Sequence, residues 1–309
     1  MIKKPKFWDD KVGILSIILI PISLVISIII FIKKNITKPK SYNLPVICIG
    51  NIYLGGTGKT PTAMFLAKEL EIIGKKSAII RKYYKDHDDE YDLIKQNKIN
   101  LIINQDRAES IIEAKKKMFD GVLLDDGLQD YKIKKNLSIV CFNQNQKVGN
   151  GLIIPAGPLR ESLRSLKKMD VIIINGKKDE EFEKKILSIN KKLEIFYSHY
   201  EPENLDKFRD FNLLAMAGIG NPENFFEILE KNNLSIKKKI KFPDHYNFKK
   251  KEIENILEFA NQKNYKTIMT EKDYVKIKKF KLPNIDYLKV SLKIEKKEKL
   301  INRIKEIYD

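Results

Sequence analysis

Val46-Ile47-Cys48-Ile49 runs through a short connection into Gly55-Gly56-Thr57-Gly58-Lys59-Thr60, followed by Pro61-Thr62-Ala63-Met64-Phe65-Leu66-Ala67. The order is apolar strand, glycine loop, helix. A loop of this kind turns successive backbone N–H groups inward to wrap phosphates, with the positive end of the helix pointing at them. Lys59 would reach the outer phosphates, and the Thr60 hydroxyl would ligate a divalent cation. Pro61 suits the first helical turn, where a missing N–H costs nothing. The full pattern G-x-x-x-x-G-K-[ST] asks for glycine where this chain has Tyr53, and the nearest upstream glycine is Gly50, so the loop reads as lengthened. A glycine-rich turn without function would account for the glycines alone, but not for Gly-Lys-Thr at a strand-to-helix junction.

Working outward, the pattern on both sides is α/β. Apolar runs at Val46–Ile49, Ser77–Ile80, Leu101–Asn104, Gly121–Leu124, Ser138–Phe142 and Val171–Asn175 alternate with helical stretches such as Thr62–Ile73 and Arg107–Met118. Such alternation predicts a mostly parallel sheet with helices on both faces and ligands at the C-terminal strand ends. Gly121-Val122-Leu123-Leu124-Asp125-Asp126 is a strand ending in two carboxylates, where a nucleotide-loop protein keeps its metal-linked aspartate. Gly127-Leu128-Gln129-Asp130 then turns over the site. Pro155-Ala156-Gly157-Pro158-Leu159-Arg160-Glu161 is a proline-stiffened loop that presents an arginine beside a carboxylate.

Gly13 to Ile32 carries no charged residue. A helix of that length is about 30 Å long, the thickness of a bilayer core. Trp8 stands at one edge and Lys33 and Lys34 at the other, as interfacial residues do. No small-residue cleavage site marks it as a signal peptide. The expected organisation is therefore a membrane helix over residues 1–36, a nucleotide-binding domain over 37–205 and a smaller α/β domain over 206–309. The last begins where the pattern breaks around Glu201–Phe211. It contains the strand Leu213–Ala217, Gly218-Ile219-Gly220-Asn221-Pro222-Glu223 and Phe242-Pro243-Asp244-His245-Tyr246. The strand Thr267–Met269 follows, with Thr270-Glu271-Lys272-Asp273 after it.

The chain has 309 residues, 43% of them hydrophobic and 32% charged, and a formal net charge of +18. That excludes a disordered chain and favours an anionic partner. No RNA- or DNA-binding motif accompanies the charge, so a nucleic-acid partner is not expected. The two cysteines, Cys48 and Cys141, lie in apolar strand-like runs without metal-ligand spacing, and read as buried thiols.

Taken in order, Gly-Gly-Thr-Gly-Lys-Thr-Pro, Asp-Asp-Gly-Leu-Gln, Pro-Ala-Gly-Pro-Leu-Arg-Glu, Gly-Ile-Gly-Asn-Pro-Glu-Asn-Phe, Phe-Pro-Asp-His-Tyr and Thr-Glu-Lys-Asp resemble the tetraacyldisaccharide 4'-kinase family of lipid A biosynthesis. The resemblance extends from about Trp8 to about Lys276. It implies a P-loop NTPase-like fold and transfer of the γ-phosphate of ATP, with Mg²⁺, to the 4'-hydroxyl of a lipid A disaccharide 1-phosphate. It further implies a monotopic enzyme at the anionic inner membrane with its catalytic domains on the cytoplasmic face, and a monomer is expected. By residue, it implies that Gly55, Gly56, Thr57, Gly58, Lys59, Thr60 and Gln129 bind the nucleotide. Thr60, Asp125, Asp126 and Glu161 would serve the metal. Lys59, Asp126 and Arg160 would serve the transferred phosphate. The proton acceptor would be Asp89, assisted by His245.

The segment around the acceptor departs from the family pattern. The usual Ser-Arg-Gly-Tyr is Ile80-Arg81-Lys82-Tyr83, and Gly-Asp-Glu-Pro is Asp88-Asp89-Glu90-Tyr91. Asp88 and Asp89 compete for the role; Asp89 is favoured because Glu90 follows it. An Asp89–His245 pair split across two domains would couple chemistry to closure. A membrane-tethered ATPase of the partitioning or metal-chaperone type shares the glycine loop, but usually carries a lysine where Leu54 stands.

Overall fold

The structure is a computed structural model, and it describes residues 5–85, 87–244 and 246–308. His245 therefore lies outside the described residues. In chain order, α1 (Ile14–Ile36) precedes β1 (Val46–Gly50), α2 (Lys59–Ile72), β2 (Ser77–Lys82), α3 (Asp88–Gln96), β3 (Leu101–Asn104), α4 (Arg107–Lys116), β4 (Gly121–Asp125) and β5 (Leu137–Asn143). There follow β6 (Val171–Asn175), α5 (Glu180–Ile189), β7 (Glu194–Pro202), β8 (Asn212–Ala217), α6 (Pro222–Lys231), β9 (Ser235–Lys241) and α7 (Lys250–Gln262). The chain closes with β10 (Lys266–Thr270), α8 (Glu271–Ile277), β11 (Ile285–Leu288), β12 (Val290–Ile294) and α9 (Lys297–Lys305).

An eight-stranded sheet has the order β12-β7-β6-β5-β1-β4-β2-β3. The pairs β1–β4, β1–β5, β2–β4, β5–β6 and β6–β7 are all parallel. Every residue of β1, β4 and β5 is buried, so both faces of the sheet centre are covered, as their unbroken apolar sequences require. Strand order reverses at β1, which has β5 on one side and β4 on the other; a parallel sheet opens its ligand crevice at such a place. A second sheet, β11-β10-β8-β9, is also parallel, with its core on both faces. Its edge strand β9 holds the Lys237–Lys241 run, which composition alone marked as a charge cluster. Outward lysines on an edge strand keep other strands from pairing with it.

The chain divides into two compact units: Met1–Lys82, Ile102–His199 and Ile294–Asp309 form one, and Tyr83–Leu101 with Tyr200–Lys293 the other. This differs from the continuous domains expected over 37–205 and 206–309. Residues 83–101 leave the first unit because Lys272 and Lys276 of α8 hold α3 by ion pairs. The last residues return to the first because Lys297 and Arg303 of α9 pair with Glu69 and Glu194.

Helix α1 has its polarity reversed relative to an ordinary surface helix. Its buried side chains are serines, Ser16 at 0% and Ser23 at 6% exposure, while Ile14 is 78% and Phe31 67% exposed. The Ser23 hydroxyl donates to the Ile153 carbonyl at 2.8 Å and accepts from the Ala156 N–H at 3.0 Å, and Asn150 donates to the Ser16 hydroxyl at 3.1 Å. Before the helix, the Trp8 indole donates to the Pro155 carbonyl at 2.9 Å and Tyr53 donates to Asp9 at 3.0 Å. Near its end, Lys34 pairs with Glu161 at 3.3 Å. The helix is thus tied along its length to the loop at 150–161.

Burial pushes the Cys48 thiol up to about 11 and the Cys141 thiol up to about 12. The thiolate, the reactive form, is then scarce at neutral pH. Iodoacetamide at about pH 8 should label neither cysteine in the folded protein and both after unfolding. Rapid labelling of the folded protein, followed by mass, would contradict the fully buried β1 and β5.

Candidate active site

The glycine loop hangs between β1 and α2 and is pinned from within. The Asn51 amide, fully buried, donates to the Gly55 carbonyl at 3.1 Å and to the Thr57 hydroxyl at 3.0 Å. Tyr53, at the position where the common pattern has glycine, turns its ring into the hydrophobic core. Leu54 N–H donates to the Pro158 carbonyl and Arg160 N–H to the Ile52 carbonyl, so the loop at 158–160 braces the glycine loop. Gly58 has φ +89°, a left-handed turn that a side chain would strain, and it delivers Lys59 and Thr60 to the first turn of α2. The free N–H groups and the positive dipole end of α2 therefore face the end of β1.

β4 ends beside that turn. Its Asp125 is in register with Ile49 of β1 and only 1% exposed. The Thr60 hydroxyl donates to Asp125 Oδ2 at 2.8 Å. Arg81, from the end of β2, places Nη1 at 2.7 Å from the same carboxylate oxygen and 3.0 Å from the Thr60 hydroxyl. Asp126 follows in a left-handed conformation, φ +58°, fixed by its N–H bond to the Ile49 carbonyl. For a residue other than glycine this costs energy and persists because the surroundings impose it. The turn points the second carboxylate the other way, onto Arg160 at 2.8 and 3.1 Å and towards Lys59 at 3.7 Å. Burial alone would raise the Asp126 carboxyl, but Lys59, Arg160 and Arg107 outweigh it and hold it below its ordinary value. Arg107, at the start of α4, also donates to the Asp126 carbonyl at 2.8 Å. Gln129 donates to the Asn51 carbonyl at 3.2 Å and to Glu161 at 3.1 Å.

The second unit assembles a different cluster. Asp89 on α3 is 6% exposed and Asp88 faces solvent, which favours Asp89 as the inward carboxylate. Lys272 of α8 lies 3.1 Å from Glu90 and 3.6 Å from both Asp89 and Asp244. Lys276, one turn on, lies 3.2 Å from Asp89 and 3.4 Å from Asp273. Asp273 is fully buried and accepts from the Gly218 N–H and the Thr270 hydroxyl, both at 2.7 Å. Burial would lower the Lys272 ammonium, but Glu90, Asp244 and Asp89 outweigh it and raise it. Four separate motifs thus meet here: the acidic segment, Gly218, Asp244 and Thr-Glu-Lys-Asp.

The first unit holds a glycine loop with paired carboxylates at the β1 switch point, and the second unit holds a carboxylate–lysine cluster. The family model described as LpxK, tetraacyldisaccharide-1-P 4'-kinase, matches residues 15–309. The tetraacyldisaccharide 4'-kinase of Pelagibacter ubique (strain HTCC1062) is 38% identical over 98% of this chain and 97% of its own. That of Francisella tularensis subsp. novicida (strain U112) is 34% identical over 94% and 98%. The chain belongs to the tetraacyldisaccharide 4'-kinase family. It is a kinase of lipid A biosynthesis, and the partitioning or metal-chaperone reading is set aside. The fold agrees: a crystal structure of the "apo" form of LpxK from Aquifex aeolicus in complex with ATP superposes with a TM-score of 0.73, at 23% identity, over 96% of this chain and 100% of that one.

For this member of the kinase family, the sequence motifs located Lys59, Thr60, Asp125, Asp126, Gln129, Arg160 and Glu161, and the structure gathers them around one strand end. Asp89 and Asp244 both pair with Lys272 within one unit, and His245, the expected partner of Asp89, lies outside the described residues. Sequence reading missed Arg81, Arg107, Lys272 and Lys276. Arg81 stood in a motif noted only for its lost glycine, and Lys272 in one quoted only for its likeness.

Sign follows from these pairs. The charged Lys272 is stabilised by folding, so its contribution is present below the ordinary lysine pKa and is lost only as pH rises through the raised value. Lys272→Met should therefore cost about 3 kcal/mol of stability near neutral pH, and Lys272→Arg, which keeps the charge, clearly less, read from denaturant melts. An equal cost for both variants would mean that charge pairing does not hold this cluster.

Proposed function

We propose that the chain transfers the γ-phosphate of ATP to the 4'-hydroxyl of a tetraacyldisaccharide 1-phosphate at the cytoplasmic surface of the inner membrane. The observation that carries this reading is the convergence of Lys59, Thr60, Asp125, Asp126 and Arg160 on the N-terminal turn of α2. Gly55 to Gly58 cradle the phosphates through backbone N–H groups. Lys59 and Arg160 neutralise charge that spreads over the phosphoryl oxygens as the bond to ADP lengthens.

The Thr60 hydroxyl and Asp125 carboxylate are adjacent hard oxygen donors that already face a cation, the Arg81 guanidinium, and this donor set suits Mg²⁺. Bound there, Mg²⁺ supplies further charge neutralisation at the phosphates. Asp126 orients Lys59 and Arg160 and completes the acidic pair. Glu161, expected as a metal group, accepts from Gln129 and pairs with Lys34, and its part is to hold Gln129 against the glycine loop.

Asp89 takes the proton of the 4'-hydroxyl as its oxygen bonds to phosphorus and the bond to the ADP oxygen breaks. Lys272 and Lys276 keep Asp89 ionised and oriented, and His245 assists it. The acyl chains of the substrate remain in the bilayer. Helix α1 suits that surface: its apolar side chains point outward, while Trp8 before it and Lys34 near its end both hold to the catalytic unit. A helix crossing the bilayer would carry one end about 30 Å away. A helix held to the catalytic unit near both ends suits the interface instead.

The test is Lys59→Ala assayed with radiolabelled ATP and the tetraacyldisaccharide 1-phosphate in mixed micelles. Turnover should fall about 100-fold or more, the loss of roughly 3 kcal/mol of phosphate stabilisation. A variant keeping more than about a tenth of the wild-type rate would refute the assignment. Asp89→Ala should lower kcat by a comparable factor with ATP affinity unchanged; if Asp88→Ala is the severe variant, the acceptor is one residue earlier.

A further inference from the structure

Lysines at the end of an apolar membrane helix ordinarily reach outward to lipid headgroups. Lys33 is exposed at the surface, free of the protein interior. Lys34 turns the other way. Its ammonium lies 3.3 Å from Glu161 Oε2 and 5.5 Å from the centroid of the Tyr131 ring. Glu161 is 4% exposed, so this carboxylate is buried beside a cation supplied from a segment 127 residues away. Its other oxygen accepts from Gln129 at 3.1 Å, and the same Gln129 nitrogen donates to the Asn51 carbonyl at 3.2 Å. Asn51 in turn bonds Gly55 and Thr57 within the glycine loop. One hydrogen-bonded chain therefore runs from the membrane helix to the phosphate cradle: Lys34, Glu161, Gln129, Asn51, Thr57.

We propose that Lys34 is a positioning residue of the nucleotide site, through which helix α1 fixes the glycine loop as well as anchoring the enzyme. Without the ammonium, the buried Glu161 carboxylate keeps only neutral donors, Gln129 and the Tyr131 hydroxyl. It must then turn towards water, and that movement removes the acceptor that holds Gln129 against the loop. The effect falls on nucleotide binding because the chain ends at Asn51 and Thr57. It does not fall on anchoring, because the apolar surface of α1 is untouched. The inference rests on the reading of residues 55–60 as the nucleotide cradle.

The experiment uses the full chain and four variants: Lys34→Met, Lys34→Arg, Lys33→Met and Lys59→Ala. Affinity for a non-hydrolysable ATP analogue, KM for the lipid substrate, and flotation with phosphatidylglycerol–phosphatidylethanolamine vesicles are measured for each. Lys34→Met should weaken analogue binding roughly tenfold or more, with vesicle recovery and lipid KM within about twofold of wild type. Lys34→Arg should restore most of the affinity, and Lys33→Met should match wild type. Combined with Glu161→Gln, Lys34→Met should cost less than the product of the two separate losses, since the pair acts as a unit. The inference is overturned if Lys34→Met lowers vesicle recovery while analogue affinity stays at the wild-type value, or if Lys33→Met weakens the analogue equally. It is also overturned if the two losses multiply independently. Lys59→Ala separates the two levels: if it leaves analogue binding intact, the cradle reading itself has failed.

Discussion

A carboxylate at the buried end of a parallel strand has to be paired, and the catalytic unit is arranged around that requirement. Asp125 sits where β4 stops, 1% exposed, between strands that leave water no access. Its charge is tolerable because Arg81 arrives from the neighbouring strand β2 and Thr60 from the first turn of α2. Those partners fix the relative placement of the helix start, the second strand and the β4 end. Asp126, turned back by its left-handed conformation, does the same on the other side with Lys59 and Arg160. Thr60 and Lys59, which follow the glycine loop, thus each contact one of the two carboxylates, so the charges that hold the frame also hold the start of α2. Unpaired buried charge is costly, which makes such a frame specific even where each pair adds little net stability.

The same rule governs the second unit, with signs exchanged. There half-buried lysines on α8 gather carboxylates from α3 and from the loop after β9. Thr270 caps that helix by accepting the Asp273 N–H, and the Asp273 carboxylate anchors it by accepting the Gly218 N–H. Asp89 is thus positioned by two cations one helical turn apart.

Helix α1 obeys a different constraint. Its outward aliphatic side chains are unfavourable in water and would be at home in lipid. Its two buried serines bond to the backbone of the 150–161 loop, the loop that also carries Arg160 and Glu161. Helix α1 and the 150–161 loop are consequently one piece of structure.

The local features of this protein were legible in its sequence. Strands β1 to β6, the helix after the glycine loop, the carboxylate pair ending β4 and the apolar helix α1 each depend on a short periodic pattern or a fixed motif, and each stands where that pattern puts it. Tyr53 shows how a motif can be broken without loss: the position lost its glycine and gained a core ring. The assignment of residues 83–101 to the second unit was decided by tertiary structure alone, as were Arg81 beside Thr60, Lys34 beside Glu161, and Lys272 among Asp89, Glu90 and Asp244. An ion pair between residues 182 apart in the chain, such as Lys272 and Glu90, leaves no period or spacing to read. It exists because burial removes water from around both charges, and burial is known only once the chain has folded.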